Sequence, residues 1–312
     1  MKRWLAQALL LLCVQVCTML PIATRTIADT APLKIVATTG IVADLCKELG
    51  GSLVQVEALM GPGVDPHLYK ATHGDLGSLR SADAIVFNGL HLEGKLSDIL
   101  AALRTDKPVL ALGELLPADR LLVVDPASKS IDPHIWFDVS LLAETIPGLT
   151  QFLVELLPGH AQTLRMQETA LLGRFNELHR WAKAELSRLP EGRRVLVTAH
   201  DAFGYFGRAY GLEVHGLQGV STAVEYGVHD IARIVELVVE RKLPAIFVES
   251  SVPQRFVEAV IEGSRARGHI VALGGELYSD ALGEPGSEAA TYMGMVRHNV
   301  RHIVSALAPK AD

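Results

Sequence analysis

Apolar positions between residues 33 and 112 follow two patterns that take turns along the chain. "LKIVATT" (33–39), "LVQVEALM" (53–60), "DAIVFNG" (83–89) and "PVLAL" (108–112) are short apolar runs, and each predicts a strand. Between them, "IVADLCKELG" (ended by Gly50 and Gly51), "ATHGDLGSLRSA" and "LSDILAALRTD" carry helical spacing. Strand and helix in alternation predict a parallel sheet with helices over both faces. The rhythm returns after residue 192. "RRVLVTA" (193–199), "LEVHGL" (212–217), "AIFVES" (245–250) and "HIVALGG" (269–275) read as strands. Helices are expected through "FGYFGRAYG", "DIARIVELVVERK" and "RFVEAVIEGSRARG".

The two halves can be laid on one another with near-constant spacing. Thr38 falls on Thr198, Ala84 on Ala245, and Ala111 on Ala272, the last through "ALGELL" against "ALGGEL". Three matches in order favour a repeated design over the general similarity of buried strands. Between the halves lies "GHAQTLRMQETALLGRFNELHRWAKAELSRLP" (159–190), which has no proline between Pro158 and Pro190. Leu164, Leu171, Phe175, Leu178, Trp181 and Leu186 fall near helical spacing there. A flexible linker would be rich in Gly, Ser or Pro. This segment predicts one helix of about 30 residues, roughly 45 Å long at ~1.5 Å per residue. The expected fold class is therefore α/β: two parallel-sheet lobes, 32–157 and 191–312, joined by a stiff helix at 158–190.

Composition narrows the partners. The chain has 312 residues, 49% hydrophobic and 21% charged, which suits packed domains and excludes global disorder. A net charge of −6 with scattered Lys and Arg argues against nucleic acid. The first 31 residues stand apart. Lys2 and Arg3 precede an apolar stretch that ends at small residues, with Thr26-Ile27-Ala28 as a cleavage site. This is the layout of a secretory signal peptide, and the apolar stretch is short for a retained span. Leu12 and Val16 are bulky where a lipidated Cys13 or Cys17 would want a small neighbour. Cleavage leaves Cys46 alone, so no internal disulfide is expected, and any metal site must use nitrogen and oxygen.

"VDPHLY" and "IDPHIW" pose the chemical question. Proline fixes its own φ and pushes the preceding residue toward an extended shape. Asp65-Pro66-His67 and Asp132-Pro133-His134 thus each present an imidazole from stiff, non-helical backbone. Ligands of open α/β sheets bind beyond the carboxyl ends of the strands. His67 follows the second strand, His134 comes after the fourth, His200 follows "VLVTA", and Asp280 comes after "HIVALGG". If the lobes face each other, three imidazoles and a carboxylate meet in the cleft, a shell suited to one divalent transition metal. His298 and His302 have the i, i+4 spacing that can bind metal, but Arg297 and Arg301 beside them oppose a cation. The remaining histidines are read as surface or structural residues.

"GPGVDPHLYKAT", "NGLHLE", "DPHIWFDV", "VTAHDAFGYFGRAYGLEV", "LPAIFVESSVP" and "GGELYSDALG" closely resemble the metal-binding receptors of bacterial ABC importers, the TroA-like cluster, from about residue 33 to 307. The resemblance implies two α/β lobes joined by one rigid backbone helix with the metal between them. It also implies His67, His134, His200 and Asp280 as the ligands. The receptor would capture the ion outside the inner membrane and pass it to a permease and ATPase. The chain has no G-x-x-x-x-G-K-[ST] phosphate loop, so those parts are expected to be separate proteins.

Three nitrogens shift the choice of ion toward Zn²⁺, with Mn²⁺ or Fe²⁺ next. Manganese-type relatives carry Glu where this chain has His200. The loop between Leu116 and Ile131 lacks the histidine-rich insert of many zinc scavengers. The histidines must bind as neutral imidazoles, so affinity is expected to fall below about pH 6. Asp65, Asp132, Asp138, Asp201 and Glu249 are candidates to orient the rings. Tyr69 and Trp136 are expected to wall the cleft. A metallohydrolase built on the same four groups is the alternative. Catalytic zinc usually keeps three protein ligands and an open position, which argues against it. A surface-adhesin role, assigned to some of the family, leaves no motif.

Overall fold

The structure is a computed structural model describing residues 31–309, apart from residues 126, 128 and 224–226. The signal segment and Cys13 and Cys17 lie outside the described residues. Strand β1 (Leu33–Thr39) opens the first lobe and leads into α1 (Gly40–Gly50), whose first turn is capped by the Thr39 hydroxyl accepting from the Val42 amide. Helix α1 stops at Gly51, where φ is +51° and a side chain would be strained. Then follow β2 (Val54–Met60), α2 (His73–Ser81), β3 (Ala84–Phe87), α3 (Ser97–Leu103) and β4 (Val109–Ala111). The four strands are all parallel, in the order β2-β1-β3-β4. A short antiparallel hairpin, β5 (Val123–Asp125) and β6 (Ser130–Ile131), comes next, and then helices α4 (Val139–Ala143) and α5 (Ile146–Leu156).

Helix α6 (Ala161–Ser187) is the long connector, 27 residues and about 40 Å at the usual rise. Its buried stripe is Leu164, Leu171, Phe175, Leu178, Ala182 and Leu186. Trp181, expected in that stripe, sits at its margin under the guanidinium of Arg297, 5.1 Å away, while Ala182 takes the core position. The stripe touches α1, α4 and α5 on one side. On the other it meets α7 (Gly204–Tyr210) and α10 (Tyr292–Leu307). One continuous apolar core runs from the first lobe along α6 into the second, and residues from Ala31 onward form a single compact unit.

The second lobe pairs β7 (Val195–His200) with β8 (Glu213–Gln218), and β9 (Ala245–Glu249) with β10 (Ala272–Leu277), both in parallel. Helices α8 (Val228–Glu240) and α9 (Arg255–Ala266) pack on one another. Strand β7 lies beside β9, so the order β8-β7-β9-β10 repeats β2-β1-β3-β4. The sequence overlay holds for the first strands but slips at the last. Ala111 pairs with Phe87, whereas Val248, the counterpart of Phe87, pairs with Glu276. Ala272 pairs instead with Ala245. The strand expected at 269–275 begins three residues late, and Ile270 before it is 83% exposed. A register shift between Leu273 and Glu276, with Gly275 at φ +112°, carries the difference.

Candidate metal centre

Three of the ligand candidates come at or after the carboxyl end of a parallel strand, and His134 after a hairpin. His67 follows β2, and the Asp65 carboxylate accepts its backbone N–H at 2.8 Å, which fixes the turn after Pro66. His134 follows the β5–β6 hairpin rather than β4 directly, and Asp132 Oδ1 accepts its backbone N–H at 2.9 Å. His200 is the last residue of β7. Asp280 lies three residues beyond the end of β10. Strand β8 presses close on the turn after His200 because Gly216 has no side chain. A Cβ there would come within 2.4 Å of the Asp201 amide nitrogen.

These four residues meet. One ligand atom from each lies within 4.8 Å of all the others, and all four residues are buried. His134 Nε2 is 3.2 Å from His67 Nε2 and 3.4 Å from His200 Nε2. Asp280 Oδ1 is 3.4 Å from His134 Nε2, while Oδ2 is 3.4 Å from His200 Nε2 and 4.0 Å from His67 Nε2. A tetrahedron with Zn–N bonds of 2.0–2.1 Å has edges of roughly 3.3 Å. Four of these separations, 3.2–3.4 Å, fit that figure, and the 4.0 Å between His67 and Asp280 is wider. Both Asp280 oxygens are buried without a hydrogen-bond partner. Orphaned buried carboxylate oxygens cost free energy unless a cation satisfies them.

Two acids set the tautomers. Asp132 Oδ1 is 2.8 Å from His134 Nδ1. Glu249 Oε2 is 2.6 Å from His200 Nδ1, in a contact off the N–H axis, while Oε1 accepts the His200 backbone N–H at 2.8 Å. A proton on Nδ1 facing each carboxylate leaves Nε2 with its lone pair toward the common point. Burial pushes the His67 imidazolium down to about 3, so this ring is neutral. Burial acts the same way on His134, but Asp132 and Asp280 outweigh it and hold it up to about 9. For His200, Glu249 and Asp280 likewise outweigh burial and hold the ring well above the usual histidine range. Burial would raise Asp280, yet His200 and His134 keep it well below the usual carboxylate range.

Of the five candidate orienting acids, Asp132 and Glu249 face ligand rings. Asp65 reaches His67 only through its backbone N–H, and its other oxygen accepts from the Thr222 hydroxyl at 2.6 Å. Asp138 does not orient a ring. It caps α4, accepting from the Ser140 and Leu141 amides, because it stands at the extended residue before that helix. Asp201 makes a backbone bond to Gln218, and burial raises its carboxyl above the usual range. Tyr69 turns away, its hydroxyl donating to Asp75 at 2.7 Å in the capping box of α2. Trp136 does wall the site, edge-on to His134 with ring centroids 5.2 Å apart. Its indole N–H donates to the Ser279 carbonyl beside Asp280 at 2.9 Å.

Sequence reasoning missed Tyr205, Thr222, Asn88 and Glu93. The Tyr205 hydroxyl donates to the Asp132 carbonyl at 2.9 Å across the lobes and accepts from the Leu122 amide. An aromatic hydroxyl in an apolar stretch signals such a partner. Outside the centre, His298 and His302 stack face to face, 3.9 Å between centroids, and each bonds a backbone carbonyl. Cys46 is buried with its thiol pushed up to about 12 by burial, so it packs as a small apolar residue.

Residues 35–306 match the family described as the periplasmic component A of a zinc-uptake complex. The chain belongs to this family. It is 47% identical over 281 residues to the zinc-binding protein TroA of Treponema pallidum, covering 90% of each. Identity to the manganese-binding lipoprotein MntA of Bacillus subtilis is 44% over 275 residues, 88% of this chain and 90% of that one. The solved structure of the Treponema pallidum periplasmic zinc-binding protein superposes with a TM-score of 0.87 at 46% identity. It covers 89% of this chain and the whole of that one. Two relatives so alike carry different metals in their names, so overall identity does not choose the ion.

Proposed function

We propose that this chain is an extracytoplasmic solute-binding receptor. It captures one divalent transition metal ion and delivers it to an ABC permease driven by a separate ATPase. His67, His134, His200 and Asp280 hold the ion, Asp132 and Glu249 orient two of the rings, and residues 32–157 and 191–312 are the jaws braced by 158–190. The observation that carries this reading is the meeting of three buried imidazoles and a carboxylate with two unpartnered oxygens, one ligand atom from each within 4.8 Å of the others. Zn²⁺ is favoured, with Mn²⁺ or Fe²⁺ next. Three nitrogen donors suit zinc, and the general affinity order places it above both.

Capture is an exchange of protons for metal. The ion competes with protons for the imidazole nitrogens, and three carboxylates, Asp280, Asp132 and Glu249, supply the negative charge around it. Four protein donors close a tetrahedral shell, which favours holding an ion over activating a water on it. The receptor reading is therefore preferred to the hydrolase. The test is metal analysis of protein purified without added metal, followed by competition between Zn²⁺ and Mn²⁺. One ion per chain with Zn²⁺ displacing Mn²⁺ is expected. His134→Ala is expected to lower affinity by orders of magnitude while the fold persists. Unchanged one-to-one binding in that variant would remove His134 from the site.

A further inference from the structure

The "NGLHLE" segment (88–93) lies beside the metal centre, yet no step of capture uses it. Glu93 is buried at 2% exposure. Its Oε1 accepts from the Thr38 hydroxyl at 2.7 Å and the Asn88 amide at 2.8 Å, and its Oε2 from the Gly89 amide at 3.1 Å. These bonds hold a tight turn in which Gly89, Leu90 and His91 all have positive φ. Two of those are not glycine, and such backbone persists only where its surroundings enforce it. The turn aims the Asn88 side chain at the loop that carries His134. Its Nδ2 donates to the Pro133 carbonyl at 3.0 Å as well as to the Gly89 carbonyl at 3.1 Å.

Pro133 is the residue before His134. Its carbonyl also accepts from the Ile135 amide at 2.9 Å. The peptide entering His134 is thus gripped from one side by Asn88 and from the other by Asp132, which takes the His134 backbone N–H and Nδ1. We propose that Asn88, set in place by the buried Glu93 carboxylate, is a positioning residue that fixes the direction of the His134 imidazole toward the metal. The inference rests on the receptor reading above. It gives the strained turn after β3 a purpose, namely to bring a rigid amide donor from one strand end to the ligand loop of another.

Co²⁺ titration tests this, because its d–d bands report coordination geometry as well as affinity. Asn88→Ala removes the donor. Glu93→Gln keeps the shape but turns an amide donor toward one of the backbone N–H groups, and it serves if Asn88→Ala does not fold. The expected result is a cooperative melt, one Co²⁺ per chain, d–d bands changed in energy or intensity, and affinity lowered about tenfold. A merely structural role would lower the melting temperature and leave the bands alone. Bands and affinity identical to the unmodified chain, in whichever variant folds, would overturn the inference. An unmodified chain that takes up no Co²⁺ would overturn the receptor reading itself, and this inference with it.

Discussion

At the scale of single residues, buried carboxylates face Nδ1 of two imidazoles whose Nε2 atoms point to a common place. Glu249 contributes twice, to the backbone and to the ring of His200. Glu249→Gln keeps the volume and removes the charge. It is expected to weaken Zn²⁺ binding roughly 10–100-fold, as loss of an outer carboxylate partner typically does, and competition with a chromogenic chelator would measure it. The proton traffic has a sign. His134 and His200 hold protons above the usual histidine range when no ion is bound, so metal must displace them. Apparent affinity is therefore expected to keep rising with pH beyond 6, because both rings are held above the usual histidine range. The sequence alone placed the fall below about pH 6, because it could not show that Asp132 and Asp280 face the same ring. Calorimetry in buffers of different ionisation heat would count the protons released, and zero release at pH 7 would contradict the exchange.

Among elements, local signals and packing divide the work. The strands at Leu33, Val54, Ala84 and Val195 were legible because short apolar runs bounded by glycine or helix starts have few alternatives. Strand β10 was misplaced because Ile270 and Val271 look like strand residues, whereas pairing with β9 starts at Ala272. Helices α4 and α5 went unread, although the buried Ile146, Leu149, Thr150 and Leu153 of α5 fall at helical spacing. The four candidate ligands, which the structure brings together, were legible because rigid Asp-Pro-His turns and strand ends mark themselves. Their orienting partners were only partly so: Asp132 and Glu249 face rings, while Asp138 and Asp201 do not. Nothing in a sequence says which way an acid near a ligand will turn. Gly216 belongs at this scale, since it sets how closely β8 approaches the His200 turn. Gly216→Ala places a methyl against backbone atoms of His200 and Asp201. It is expected to cost about 1–3 kcal/mol, as overpacking does, and to weaken metal binding as well. Denaturant melts and metal titration together check this, and unchanged affinity would show that β8 does not hold His200.

Across the whole molecule, two similar lobes share one apolar core along α6, and the cleft between them is crossed by bonds that also serve the centre. Tyr205 of the second lobe holds the carbonyl of Asp132, Trp136 of the first reaches the carbonyl of Ser279, and Thr222 meets Asp65. Tyr292 on α10 stacks on Phe175 of α6, with centroids 5.2 Å apart, and donates to the Trp136 carbonyl. Holding the lobes together and shaping the cluster of His67, His134, His200 and Asp280 are thus done by the same few contacts. Anomalous diffraction at the zinc edge from zinc-soaked crystals tests the central claim most directly. One peak is expected about 2.0–2.1 Å from Nε2 of His67, His134 and His200 and within bonding reach of the Asp280 carboxylate. A peak elsewhere in the molecule, or one that leaves any of those four residues unbound, would contradict it.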